Sequence, residues 1–438
     1  MRFYRLTYNA RMKINRRINN EGDRFESIFE SMPDELTDMS KGNLTAFLSD
    51  YSTKKLHIAA AVRNGEIYEY TDEINTYIPC DISKEYEIEE ITCRNFDDYL
   101  DDADRINGFR SNDIRENLGT DKIFSRRWGR DLEFSERFIE SGVFDCCSPD
   151  LDDEIERIEK SSNPEYACNP IHYIIGGCTQ KSRNNLLSNL LRKLKENGRL
   201  SHSRYTVIHI KNLEYGSIGQ MAEEADALFK LSVGGAVVFS IADKLVCDEE
   251  RRSFIQDLLI ALCKTGKKYA KKTLLIFLLP DNNLATASAV RKYMKDTAFV
   301  EIKESTLNAT ESRNYLSGLA KNDSFRANKA LYKNIGKDKN YYIDELTEFY
   351  DKWYESSVIS KNFPAYKKYY EKQAVKTAEE KGKAEGNAYD VLMSMIGLSE
   401  AKKVINEAVD YFKAQKMFKD CGFSDAAPSM HMVFTGSH

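Results

Sequence analysis

The chain has 438 residues, of which 42% are hydrophobic and 30% charged, with 8 Pro and 22 Gly. At about 150 residues per domain this predicts roughly three units, and the composition excludes collagen-like, mucin-like and wholly disordered chains. A formal net charge of -5 supplies no global basic field for nucleic acid or an anionic membrane.

No apolar run approaches the roughly 20 residues a bilayer span needs. The N-terminus is basic but lacks the continuous apolar core of a signal peptide, so the chain reads as cytoplasmic. The nine cysteines are scattered and none forms a Cys-x-x-Cys pair. The vicinal Cys146 and Cys147 read as incidental reduced thiols, with a metal or redox pair as the sharper alternative. The histidines show no ligand spacing, and His209, inside an apolar run, reads as a packed strand residue.

Residues 1–105 read as a small α/β domain suited to docking a partner. Phe3–Tyr8 and Tyr86–Ile91 alternate apolar and polar residues, as half-buried strands do. Leu56–Val62 precedes Asn64-Gly65 and then Ile67–Tyr70, a pattern that predicts a hairpin. Residues 106–163 read as a charged, helical linker. Within it Asp150–Lys160 forms a helix whose acidic start suits the positive end of the helix dipole.

The stretch that bears on chemistry begins at Ile171-His172-Tyr173-Ile174-Ile175, an apolar strand running into Gly176-Gly177-Cys178-Thr179-Gln180-Lys181-Ser182. Leu186, Leu187, Leu190, Leu191 and Leu194 then recur at helical spacing. Strand, glycine-containing turn, Lys-Ser and helix is the layout of a phosphate-binding loop, in which backbone N–H groups cradle phosphates and Lys and Ser/Thr reach the phosphates and magnesium. The glycines of such a loop are missing where they matter: Gln180 precedes Lys181, and Ile175 stands six positions before it. Tyr205–Ile210, the run from Ala236 and Thr273–Leu279 are further apolar strands separated by helices, which predicts a parallel sheet covered on both faces.

Ser217-Ile218-Gly219-Gln220-Met221-Ala222 and Gly234-Gly235-Ala236-Val237-Val238-Phe239-Ser240-Ile241-Ala242 together resemble AAA+ ATPases of the CbbX and stage V sporulation protein K type, over roughly residues 165–375. The resemblance implies an α/β fold: a P-loop-type parallel sheet flanked by helices over 164–303 and a helical lid over 304–375; the Tyr341–Tyr354 aromatic stripe, at helical spacing, reads as core. In the family an Asp-Glu pair holds the magnesium shell and polarises the attacking water; Ser240 and Ile241 stand in those places. Ser217 replaces the pore-loop aromatic, and Leu278-Leu279 lacks the usual polar residue. The resemblance therefore implies a catalytically dead module, with Lys181 and Ser182 the candidates for any residual nucleotide contact.

Residues 376–390 read as a charged linker helix, and 391–438 resemble the start of a second module of the same family. Ile396-Gly397 matches the pair that packs on adenine, and Phe434-Thr435-Gly436 the entry to a phosphate loop within which the sequence stops. The expectation is the front portion of a tandem AAA+ ATPase that remodels protein partners as a homo-oligomeric, hexameric ring. ATP and Mg2+ would be used by a complete second module. The alternative is a non-catalytic interaction scaffold built on the dead module; a clamp-loader-like, nucleic-acid-dependent ATPase lacks the basic stripe it needs.

Overall fold

The computed structural model describes residues 1–10, 14, 25–80, 82–107, 111–121, 123, 132–161, 169–210, 218–241, 249–280 and 284–366. The chain divides into two units, Met1–Tyr350 and Asp351–His438. In the second unit the described residues run to Tyr366 and include a π-helical stretch at Tyr354–Ile359.

Four strands near the N-terminus form an antiparallel sheet: β1 (Arg2–Ala10), β2 (Leu44–Tyr51), β3 (Lys55–Val62) and β4 (Ile82–Ile91), in the order β2-β3-β1-β4. Alternation decides the two faces. Leu6, Tyr8 and Ile58 pack with Phe29, Met32 and Leu36, the last two from helix α1 (Met32–Met39). Phe3, Phe47, Ala59 and Ala61 pack with Phe96 and Leu100 of helix α2 (Cys93–Asn107). The ring of Phe96 lies 5.0 Å from that of Phe3 and 5.2 Å from that of Phe47. A short helix, α3 (Ser111–Leu118), follows.

The expected hairpin at Asn64-Gly65 is corrected. Gly65 does take a positive φ of 84°, but Ile67–Glu69 winds into a 3-10 turn closed by the Glu66 N–H donating to Glu69 Oε1 at 3.0 Å. Both edges of β3 are already paired, with β2 and β1, so the residues after the turn have no strand edge to join. The hairpin that does form is β2–β3.

Among the described residues the second sheet has six strands: β5 (Leu132–Phe138), β6 (Ile171–Gly177), β7 (Arg204–Ile210), β8 (Ala236–Ile241), β9 (Leu274–Pro280) and β10 (Ala298–Lys303). Their order is β10-β6-β9-β8-β7-β5, parallel except for β5, which runs antiparallel to β7. Segment 106–163, read as a helical linker, thus contributes a strand to this sheet as well as helix α4 (Pro149–Lys160).

On one face, Tyr173, Val207, Val238 and Ile276 meet Leu186 and Leu190 of α5 (Gln180–Glu196) and Leu151 of α4. On the other, Ile208, Phe239 and Phe277 meet Leu228 of α6 (Ile218–Leu231), Leu262 of α7 (Glu249–Tyr269) and Val290 of α8 (Leu284–Tyr293). Burial of both faces explains the near-continuous apolar strands. Helices α9 (Ala309–Asn322) and α10 (Ile343–Trp353) follow the sheet. Tyr341 is buried and meets the Phe349 ring edge-on at 5.8 Å.

β6 sits between β10 and β9, so the chain leaves it towards β7 on one side and returns as β10 on the other. A crevice outside the carboxyl ends of parallel strands, at such a reversal of strand order, is where open α/β sheets bind ligands. The turn from β6 into α5 lies there.

Candidate functional site

The β6–α5 turn is closed by local hydrogen bonds. Thr179 is the N-cap of α5: its Oγ1 accepts from the Ser182 N–H at 3.0 Å, and Ser182 Oγ reaches back to the Thr179 amide at 3.4 Å. Such reciprocal capping satisfies amides that would otherwise point at a ligand. Arg183 is fully buried beneath the turn, donating to the Gly177 carbonyl at 2.8 Å and to Gln180 Oε1 at 3.0 Å. A Cβ on Gly177 would fall 2.7 Å from Ser182 Oγ and 3.0 Å from Arg183 Cγ. Gly177 is therefore used for close internal packing, whereas a phosphate loop uses its glycines for approach to a ligand.

Two carboxylates from distant segments complete the turn. Glu304, just past β10, is 8% exposed and accepts from the Cys178 N–H at 3.0 Å and the Ser182 hydroxyl at 2.8 Å. Asp344, in the first turn of α10, accepts from the Thr179 hydroxyl and lies 3.6 Å from Lys181 Nζ. Negative charge is favoured at a helix N-terminus, and here the protein supplies it. Burial, and secondarily the Glu304 carboxylate, push the Cys178 thiol up to about 12, so it stays protonated at neutral pH.

Lys181 and Ser182, the two sequence candidates, thus lie on the first turn of one helix but diverge in setting. The Lys181 side chain is 64% exposed and its ammonium faces Asp344. Ser182 is buried and engaged by Glu304. The positions expected to hold the acidic pair end β8: Ser240 pairs in register with His209 on β7 and Leu278 on β9. A cavity of about 210 Å³ there is lined by Gln180, Asn184, His209, Ser240 and Arg137 among others, with no carboxylate among the described residues. Ile241 is 1% exposed and packs in the apolar core. A magnesium–triphosphate needs acids at the strand end and free amides at the turn; among the described residues β8 ends on Ser240 and Ile241, and the Cys178, Thr179 and Ser182 amides are already bonded within the protein, so these residues do not fit the group.

Ser217, Ile396, Gly397 and Gly436 lie outside the described residues. His209 is a strand residue whose Nε2 lies 3.3 Å from Ser135 Oγ. Cys146 and Cys147 are free thiols lining a cavity of about 540 Å³ with Asn189 and Tyr315. Burial raises both thiols above their ordinary range. Glu304 and Asp344 were invisible to sequence reasoning because they lie more than a hundred residues from the turn they cap.

No protein-family model matches this chain, and no curated protein matches it significantly. Among solved structures, a chain of the E. coli MS115-1 HORMA:CdnC:Trip13 complex is similar at 12% identity and a TM-score of 0.25. The match covers 42% of this chain and 66% of the other, so just under two thirds of that chain is spanned.

Proposed function

We propose that residues 164–375 form a non-hydrolysing AAA+ module whose role is to hold protein partners. One observation carries this reading: the Glu304 carboxylate accepts the Cys178 amide and the Ser182 hydroxyl, the donors a phosphate would require. The strand order that places this turn at the sheet's ligand-binding crevice supports descent from a nucleotide module. Ser240 and Ile241 at the end of β8 support loss of hydrolysis, since an aliphatic side chain neither holds a cation nor accepts a proton.

In this reading the chain belongs to a tandem ATPase. Residues 391–438 open a second module, in which Ile396, Gly397 and Gly436 would meet ATP and Mg2+. The whole would work as a homo-oligomeric ring of the CbbX and stage V sporulation protein K type, remodelling a protein partner recognised through residues 1–105. A non-catalytic scaffold is the second reading, favoured by the same carboxylate-filled turn.

The test is titration of the 438-residue chain with Mg-ATP by calorimetry, alongside a hydrolysis assay. The expected outcome is no turnover, unchanged by Lys181→Ala. Turnover that disappears in Lys181→Ala overturns the proposal.

A further inference from the structure

The small antiparallel sheet ends on β4, whose sequence Ile82-Ser83-Lys84-Glu85-Tyr86-Glu87-Ile88-Glu89-Glu90-Ile91 spans ten residues. Its pairing with β1 is regular over Tyr86–Ile91 and bulged between Ile82 and Tyr86, so at about 3.3 Å per residue the regular edge is roughly 20 Å long. Only β1 pairs with it among the described strands, so half of its backbone donors and acceptors face away from the sheet. Long free edges are pairing templates unless guarded.

The side chains on this edge are sorted by face. Register with β1 sets Glu87 opposite Thr7 and Glu89 opposite Arg5, with a bulge between Ile82 and Tyr86; Glu87 and Glu89 thus lie on the face that carries α2, and the alternating exposure of the strand groups Glu85 with them. All three are exposed, and none has an ion pair among the described residues. Arg5, the nearest cation in register, is engaged elsewhere: its guanidinium lies 3.3 Å from His57 Nδ1 and sits over the Tyr99 ring at 5.7 Å. On the opposite face Tyr86 and Ile88 are only half-buried, although Tyr86 packs against Tyr8 at 5.5 Å. The edge therefore offers three unneutralised carboxylates at every second residue on one face, and incompletely covered apolar surface on the other.

We propose that β4 is a docking edge for an extended basic segment of a partner protein, one that alternates Lys or Arg with apolar residues and adds as a fifth strand to the sheet. Strand addition draws affinity from main-chain hydrogen bonds and specificity from alternate side chains. Opposite charges directly across a strand pair stabilise it and like charges weaken it. The same glutamates thus disfavour pairing of β4 with β4 of a second copy and favour a basic strand. This surface rests on the proposed partner-docking role of residues 1–105 but is independent of the β6–α5 turn, so its failure would leave the nucleotide reading untouched.

The test uses the 438-residue chain and a synthetic acetyl-Lys-Val-Lys-Val-Lys-Val-Lys-amide, with binding followed by fluorescence anisotropy. A Glu-Val counterpart and a Lys-Val peptide N-methylated at alternate residues serve as controls. Binding by the Lys-Val peptide alone is expected, weakening roughly tenfold or more in Glu85→Lys/Glu87→Lys/Glu89→Lys and less in the milder Gln triple. Amide exchange over 82–91 should slow on binding. Equal binding of the N-methylated peptide reduces the effect to charge attraction and overturns the proposal, as does an unchanged affinity in a folded triple variant. Self-association of the wild type that vanishes in the triple variant assigns the edge to a second copy and overturns it equally.

Discussion

The Ser182 hydroxyl donates to the Glu304 carboxylate at 2.8 Å across a sequence separation of 122 residues. That single bond joins the first turn of α5 to the segment leaving β10. It sets a protein carboxylate at the N-terminus of α5, beside the crevice where open α/β sheets bind ligands.

Glu304→Ala removes the acceptor of two donors. Ser182 can turn to the Thr179 carbonyl at 3.1 Å, but the Cys178 amide is left unsatisfied, at a cost of about 1–3 kcal/mol. The freed amide also gives inorganic pyrophosphate a place to bind. Urea unfolding should show the loss, and calorimetry should detect pyrophosphate with the variant alone.

Gly177→Ala would press a methyl group against Ser182 Oγ and Arg183 Cγ. The buried Arg183 guanidinium, tied to the Gly177 carbonyl, cannot retreat cheaply. Overpacking of this kind costs about 1–3 kcal/mol, read as a lower thermal midpoint, whereas a phosphate-binding glycine would show its loss first in ligand affinity.

Arg204 and Glu136 form an ion pair in which both side chains are 1% exposed. Arg204 also donates to the Leu231 carbonyl at 3.1 Å and lies 5.3 Å over the Phe3 ring. Removing one partner strands a buried charge, so Glu136→Gln or Arg204→Met should each destabilise by about 3–5 kcal/mol. The double variant should recover part of this, because the Gln–Met pair, although Gln is still polar, carries no unpaired charge. Denaturant midpoints of all four proteins complete the cycle.

Burial holds His172 down to about 4 from an ordinary 6.5, and its neutral Nδ1 accepts from the Leu275 N–H at 3.0 Å. The unfolded chain takes up this proton at a higher pH than the folded one. Stability is therefore complete above about pH 6.5 and declines as pH falls towards 4, by roughly 3 kcal/mol from this residue. His202, held down to about 3 by burial, adds in the same direction. Unfolding measured from pH 7 to 5 should show this slope, and His172→Leu should flatten part of it at the expense of the Leu275 amide's acceptor.

How far the sequence could be read depended on the range of the forces involved. β6, β7, β8 and β9 were legible because strands buried on both faces must be apolar almost throughout. The leucines of α5 were legible through their period. β10 was not, because Ile302 alone among its residues is buried. β5 escaped for the same reason, carrying Glu133, Glu136 and Arg137 within seven residues.

The sequence by itself determined what the β6–α5 turn lacks: the glycines around Gln180 and the acids at Ser240 and Ile241 are absent as residue types, whatever the fold. Only the tertiary structure decided what stands there instead. Glu304 and Asp344 meet the turn because strand order brings β10 beside β6 and the start of α10 over Thr179. A carboxylate recruited from that distance leaves no local pattern, since its attraction to a helix N-terminus acts through space.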